Sequence, residues 1–186
     1  KPTKRRNLPS LLRAFAFLKQ KEEIPHRLLL VGSSLPGTSF TGEIRSLGLE
    51  ADVVDVPYLE HDEIVQAYNA CEMLVYPSSY EGFGMPVLEA MACGAPVIAL
   101  NNTAFPEFAG DVAMLLPDAK PETLADGMLK VIGDPVLRAR MAEAGPKRAA
   151  SYDWRMVTRM YLDLLMELVR HVKPAGWNPQ WAGGRQ

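Results

Sequence analysis

The sequence predicts an α/β fold, a doubly wound parallel sheet with helices on both faces and a helical C-terminus. Three observations predict it: four short β-like runs, helical stretches of roughly 10 residues between them, and a purely helical pattern after a fifth run. Runs joined through helices imply βαβ units, whose strands are parallel and covered on both sides.

Residues 8–20 place Leu8, Leu11, Leu12, Phe15 and Leu18 at three- and four-residue steps, an amphipathic helix with Asn7 as N-cap and Pro9 in the first turn. Leu28-Leu29-Leu30-Val31 is all apolar and closes on Gly32-Ser33-Ser34, the pattern of a strand buried on both faces. Helix-like residues over 42–47 lead to a strand over 51–56, and a helix over 60–70 leads to Met73-Leu74-Val75-Tyr76. A helix over 86–92 leads to Pro96-Val97-Ile98-Ala99-Leu100, and Ala113-Met114-Leu115-Leu116 reads as the last strand. Helices then run over 121–132, 135–150 and 154–172. The stretch 174–184 is rich in Pro and Gly and has no period, so it receives no regular element; Trp177 and Trp181 are its only anchors. The whole is a Rossmann-like arrangement.

At 186 residues, 48% hydrophobic and 23% charged, the chain has the size and composition of one soluble domain. A net charge of -2 weighs against a surface that neutralises many phosphates, so nucleic acid is not an expected partner. No apolar run approaches the roughly 18 to 20 residues that span a bilayer, and no charged-then-apolar leader opens the chain. A cytoplasmic location is therefore expected. Cys71 and Cys93 lie in apolar surroundings without a C-x-x-C pair or neighbouring histidines, which favours buried, reduced thiols over a disulfide framework or a zinc site. Lys1 in place of a methionine, followed at once by Pro2-Thr3-Lys4-Arg5-Arg6-Asn7, leads us to expect a piece of something longer.

Ligands of open parallel sheets bind outside the carboxyl ends of the strands, so the residues after each strand are the place to look. Gly32-Ser33-Ser34-Leu35-Pro36-Gly37 permits tight turning but lacks the spacing of a dinucleotide fingerprint and the lysine of a P-loop. A plain strand-to-helix turn is an equal reading of it. The strongest signal is the block 76–97, where a strand ends, a loop carries Gly82 and Gly84, and Pro86 opens a helix. Glu81 and Glu89 bracket that turn. Unsatisfied amides at a helix N-terminus suit a diphosphate, and carboxylates accept hydrogen bonds from vicinal hydroxyls. A diphosphate between two sugars is a nucleotide-sugar. Either glutamate alone reads as a solvated surface group. Glu89, however, sits among Val87, Leu88, Ala90, Met91 and Ala92, where an unpaired charge is costly, and this favours a ligand as its partner.

The stretch from Glu81 to Glu89 resembles the paired-glutamate signature, E-x7-E, of retaining glycosyltransferases with the GT-B fold, in their large bacterial "group 1" branch. The resemblance runs from Lys4-Arg5-Arg6-Asn7-Leu8 through Pro106-Glu107 to Tyr152-Asp153-Trp154 and omits only the tail. It implies that residues 1–172 are the donor-binding half of a GT-B fold lacking its first strand, that 173–186 is an irregular tail, and that the N-terminal acceptor domain is absent. It further implies that Glu81 contacts donor-sugar hydroxyls and Glu89 the ribose, with Gly82, Phe83 and Gly84 shaping the sugar pocket. Met85, Pro86 and Val87 would present the helix start to the diphosphate, the proline itself offering no amide. Arg5 and Arg6 stand at a dipeptide usually Arg-Lys that neutralises the diphosphate, with the division between them open. Val54-Asp55-Val56-Pro57-Tyr58 resembles the segment that passes the nucleobase; Tyr58 stacks on the base or packs on its own helix. Asn101, Asn102 and Thr103 border the donor pocket, and Glu107 reads as structural.

The implied reaction transfers a hexosyl group from a nucleotide-diphosphate sugar to a saccharide or lipid-linked acceptor with retention, in polysaccharide or glycolipid assembly. The leaving diphosphate helps to deprotonate the acceptor by front-side attack. No Asp-x-Asp occurs, and neither a metal nor a cofactor is expected. Peripheral association of the full enzyme with the inner face of a membrane fits the family. Three other readings compete: a nucleotide-sugar epimerase, for which His26, His61 and His171 offer no evident catalytic position; a non-catalytic nucleotide-sugar module; and a flavodoxin- or receiver-type domain in which both glutamates are incidental.

Overall fold

The computed structural model of the chain describes residues 4–32 and 40–172. It divides into two units, residues 1–150 and 151–186. In the first, a 3-10 turn at Lys4–Arg6 leads into α1 (Leu8–Lys21), β1 (Leu28–Val31), α2 (Thr41–Ser46), β2 (Val53–Val56) and α3 (His61–Ala70). There follow β3 (Leu74–Tyr76), α4 (Met85–Ala92), β4 (Val97–Leu100), α5 (Phe105–Ala109), β5 (Met114–Leu116), α6 (Pro121–Gly133) and α7 (Pro135–Ala149). Strands and helices alternate as the pattern of apolar runs predicts, and every strand pair is parallel.

The five strands form two ladders rather than one. β1 pairs with β2 from Leu28↔Val53 to Val31↔Val56, and the second sheet has the order β3-β4-β5. β4, flanked on both sides, is buried at all four residues. β1 corrects the expectation of burial on both faces: Leu30 is in the core, whereas Leu29 is 45% and Val31 37% exposed. Among the described residues β1 has a neighbour on one side only, so period-2 alternation replaces two-sided burial.

One apolar cluster ties both sheets together. Leu12, Phe15 and Leu18 from α1 meet Leu30 of β1, Ile98 and Leu100 of β4, Leu116 of β5, and Leu124, Met128 and Val131 of α6. The helical spacing of these residues puts them on one stripe of each helix, and α1 packs on α6 through that stripe. Asn7 occupies the N-cap position with a left-handed backbone (φ 48°), yet its side chain caps nothing in α1. Its amide is used on the loop after β3. The thiols of Cys71 and Cys93 are free and half-buried, less enclosed than their apolar neighbours predict.

A 3-10 turn at Ala150–Tyr152 runs from the end of the first unit into the second, which continues as α8 (Trp154–Val172). The Asp153 carboxylate starts this helix by accepting from the amides of Arg155 (2.8 Å) and Met156 (3.2 Å). Val157, Tyr161, Leu164, Leu165 and Leu168 share one stripe of α8. No helix among the described residues is long and apolar enough to cross a membrane. The tail with Trp177 and Trp181, and the 33–37 portion of the glycine loop, lie outside the described residues.

Candidate active site

The segment after β3 is fixed from below and from the N-terminus. Ser78 is 1% exposed, and its hydroxyl donates to Glu81 Oε1 at 2.9 Å. The Tyr76 phenol donates to the same oxygen at 2.9 Å. Arg5 reaches the other oxygen, with its guanidinium 2.8 Å from Glu81 Oε2, and also donates to the Tyr80 carbonyl. A carboxylate accepts about four hydrogen bonds, so three protein donors leave Glu81 room for roughly one more. Burial raises the Glu81 pKa, but the bonds from Ser78, Tyr76 and Arg5, with the Arg5 charge, outweigh it and hold the carboxyl below its ordinary value. Burial and the bond to Glu81 push the Tyr76 phenol up to about 12. Glu81 is thus an anion with a fixed orientation.

The turn that carries Arg5 is itself stitched to this loop. The Ser79 amide donates to the Arg5 carbonyl at 2.7 Å, and the Asn7 side-chain amide donates to Pro77 O at 2.8 Å and Ser79 Oγ at 2.6 Å. This explains the left-handed backbone at Asn7: the residue spends its amide on the loop instead of on the helix start. Geometry also separates the two arginines. Arg5 is engaged by Glu81 and Tyr80. Arg6 keeps a buried Nε with no hydrogen-bond partner among the described residues.

Gly82 is exposed and open, whereas Gly84 is buried at φ 98° and begins α4. Between them the Phe83 ring stacks on Phe108 (centroids 4.8 Å apart, 12° between planes), so the ring pins the loop to the protein. At the start of α4 Pro86 lacks an amide, and Val87 N–H closes onto the Gly84 carbonyl at 2.9 Å. The Val87 side chain is fully buried. Met85, at the same helix start, is 37% exposed.

Glu89 lies in the second turn of α4, half-buried between buried Leu88 and Ala90. Its Oε2 accepts from the Tyr68 phenol of α3 at 3.2 Å. Burial first, then the adjacent Glu89 charge and the bond to it, raise the Tyr68 phenol beyond its ordinary range. No basic side chain pairs with Glu89 among the described residues.

The remaining candidates are more scattered. Gly32 ends β1 at φ 71°, and its amide extends the ladder by donating to Val56 O at 2.9 Å. Tyr58, after β2, is 69% exposed. Neither joins the hydrogen-bonded group around Glu81. Asn102 and Thr103 do adjoin it: the Asn102 amide donates to Ser78 O at 3.3 Å, and Glu81 N–H donates to Thr103 Oγ1 at 3.4 Å. Glu107 is exposed. Among the described residues no three His, Cys, Asp or Glu side chains gather where they could hold a metal ion. The sequence reading missed Tyr76, Ser78 and Asn7, each within five residues of a candidate, and Tyr68. For Tyr68 the only signal was a tyrosine in the last turn of a helix next to the glutamate helix.

The family model for glycosyl transferases group 1 matches residues 3–148. The chain is 32% identical over 164 residues to O-antigen chain mannosyltransferase B of Escherichia coli, covering 83% of this chain and 41% of that protein. It superposes on sucrose-phosphate synthase of Thermosynechococcus elongatus with a TM-score of 0.77 at 28% identity, covering 91% of this chain and 44% of the other. It also superposes on the UDP complex of HepE from Anabaena, with a TM-score of 0.76 at 25% identity, covering 89% and 46%. The chain spans less than half the length of each of these relatives. The architecture of the solved structures is that of GT-B glycosyltransferases, and this chain corresponds to half of it. The chain belongs to the glycosyl transferases group 1 family.

Proposed function

We propose that this chain is the nucleotide-sugar-binding half of a retaining glycosyltransferase, which transfers a hexosyl group to a saccharide or lipid-linked acceptor. One observation carries the reading: Glu81, held as an oriented anion by Arg5, Tyr76 and Ser78, stands at the head of α4, and Glu89 follows it in that helix at the E-x7-E spacing. Glu81 accepts from donor-sugar hydroxyls, and Glu89 accepts from the ribose. Arg6 and the amide of Met85 at the start of α4 take the diphosphate. Arg5 serves by holding Glu81.

In the reaction the acceptor hydroxyl attacks the anomeric carbon on the face from which the diphosphate departs. The bond from that carbon to the diphosphate oxygen breaks, the bond to the acceptor oxygen forms, and the acceptor proton passes to the departing diphosphate. Arg6 and the helix start stabilise the charge that develops there, with no need for a metal. The relatives support a mannosyl or glucosyl donor: one is named a mannosyltransferase, another a sucrose-phosphate synthase, and a third is described with UDP. The acceptor side belongs to a second, N-terminal domain, and a lipid-linked acceptor would make the whole enzyme a peripheral partner of the cytoplasmic membrane face.

Calorimetric titration of the chain with UDP, GDP and ADP and their glucose and mannose conjugates tests this. Saturable binding of one nucleotide series, weakened about tenfold or more by Glu89→Ala, is expected. A chain that is folded by circular dichroism and binds none of them overturns it.

A further inference from the structure

We propose that Tyr68 is a positioning residue for Glu89: its phenol fixes one carboxylate oxygen so that the other is presented to the vicinal hydroxyls of the donor's ribose. The inference rests on the donor-binding reading above and adds to it a residue from a different helix. Tyr68 is 8% exposed, and the hydroxyl of so enclosed a tyrosine is ordinarily hydrogen-bonded. That acceptor is Glu89 Oε2 at 3.2 Å, reached across the packed pair α3 and α4.

The two glutamates are satisfied very differently. Glu81 accepts from three protein donors, but Glu89 accepts from one and has no basic partner among the described residues. A half-buried carboxylate with most of its acceptor capacity unused is matched by a diol, which brings two hydroxyl donors to one side. Without the phenol, the Glu89 side chain regains rotamers that carry its charge toward water, and it must be re-ordered each time a ribose binds. The raised pKa of the phenol keeps it a donor throughout the physiological range, in agreement with this role.

The test compares ribose with its deoxygenated form. UDP, GDP and ADP, each beside its 2′,3′-dideoxy counterpart, are titrated into the chain, Tyr68→Phe, Glu89→Gln and the double variant, with thermal melts confirming that each is folded. The ribo form of the preferred nucleotide should bind about tenfold or more tightly than its dideoxy form. Tyr68→Phe should remove most of that preference while leaving dideoxy affinity unchanged, and should have no further effect in the Glu89→Gln background. An equal loss for ribo and dideoxy forms, or an unchanged ratio, overturns the positioning role while the donor-site reading stands. A wild-type chain that binds no nucleotide overturns both.

Discussion

Gly84 meets two separate demands at one position. Its φ of 98° lies in the left-handed region, and a Cβ there would stand 2.5 Å from Cε1 of the fully buried Phe105. Phe105 packs edge-on against Tyr76, whose phenol holds Glu81, so the glycine sits one layer from the site's central carboxylate. Gly84→Ala is expected to cost about 2–3 kcal/mol, read as a shift of the urea midpoint at constant m. Gly82→Ala, in open space without a positive φ, should stay within about 0.5 kcal/mol. Comparable losses at both positions would contradict the steric account. The arginines divide in the same residue-by-residue way. If Arg6 takes the diphosphate as proposed, Arg6→Met should weaken nucleoside diphosphate binding about tenfold and leave the bare nucleoside unaffected. Arg5→Met should instead reduce the advantage of the sugar conjugate over the bare diphosphate, because Arg5 acts through Glu81. Interchanged effects in the two titrations would reverse the assignment.

Between elements, α7 approaches α4 closely. A Cβ on Gly145 would lie 2.7 Å from the Met91 carbonyl oxygen, so the two helices meet backbone to backbone, behind the start that α4 offers to the site. Gly145→Ala must push the helices apart, and a loss of about 1–3 kcal/mol is expected, seen as a lower urea midpoint. An unchanged midpoint would mean that α7 is free to shift. At this scale the sequence is most informative where a pattern is long. The stripes of α1 and α6 are visible in their apolar spacing, and their ends fall within a residue or two of the predicted ones. α5 has five residues, too few to show a period, although Phe105 and Phe108 became core. The division into two ladders was not legible either, because periodicity reports how each strand is buried and not which strand it pairs with. The same limit governs the site. The spacing of Glu81 and Glu89 is local and readable, while the ion pair to Arg5 bridges distant parts of the chain, and the bond from Tyr68 arises only when α3 packs on α4.

For the molecule as a whole, these carboxylate and phenol contacts set the pH range of stability. Glu81 and Glu143 are held below their ordinary values, and Asp118 sits at about 2 through bonds from Lys120 and Thr123. A depressed carboxylate contributes stability that is complete above its unfolded pKa, about 4. That contribution is lost as the pH falls through the folded value. The phenols of Tyr68 and Tyr76 are raised, which gives the opposite sign: their contribution is complete below the ordinary value of 10.0 and is lost as the pH rises above it, toward about 12 for Tyr76. Burial also raises the thiols of Cys71 and Cys93 above their ordinary value of 9.0, with the same sign as the phenols, so stability is expected to be flat between roughly pH 5 and 8 and to fall on both sides. Tyrosinate absorbance separates the alkaline limb from lysine effects. Tyr68 and Tyr76 should ionise above the ordinary value of 10.0, and each Tyr→Phe variant should remove one late ionisation. If neither variant removes a late ionisation while the chain is still folded, neither phenol is bound to its glutamate, and both the orientation of Glu81 and the positioning of Glu89 lose their support.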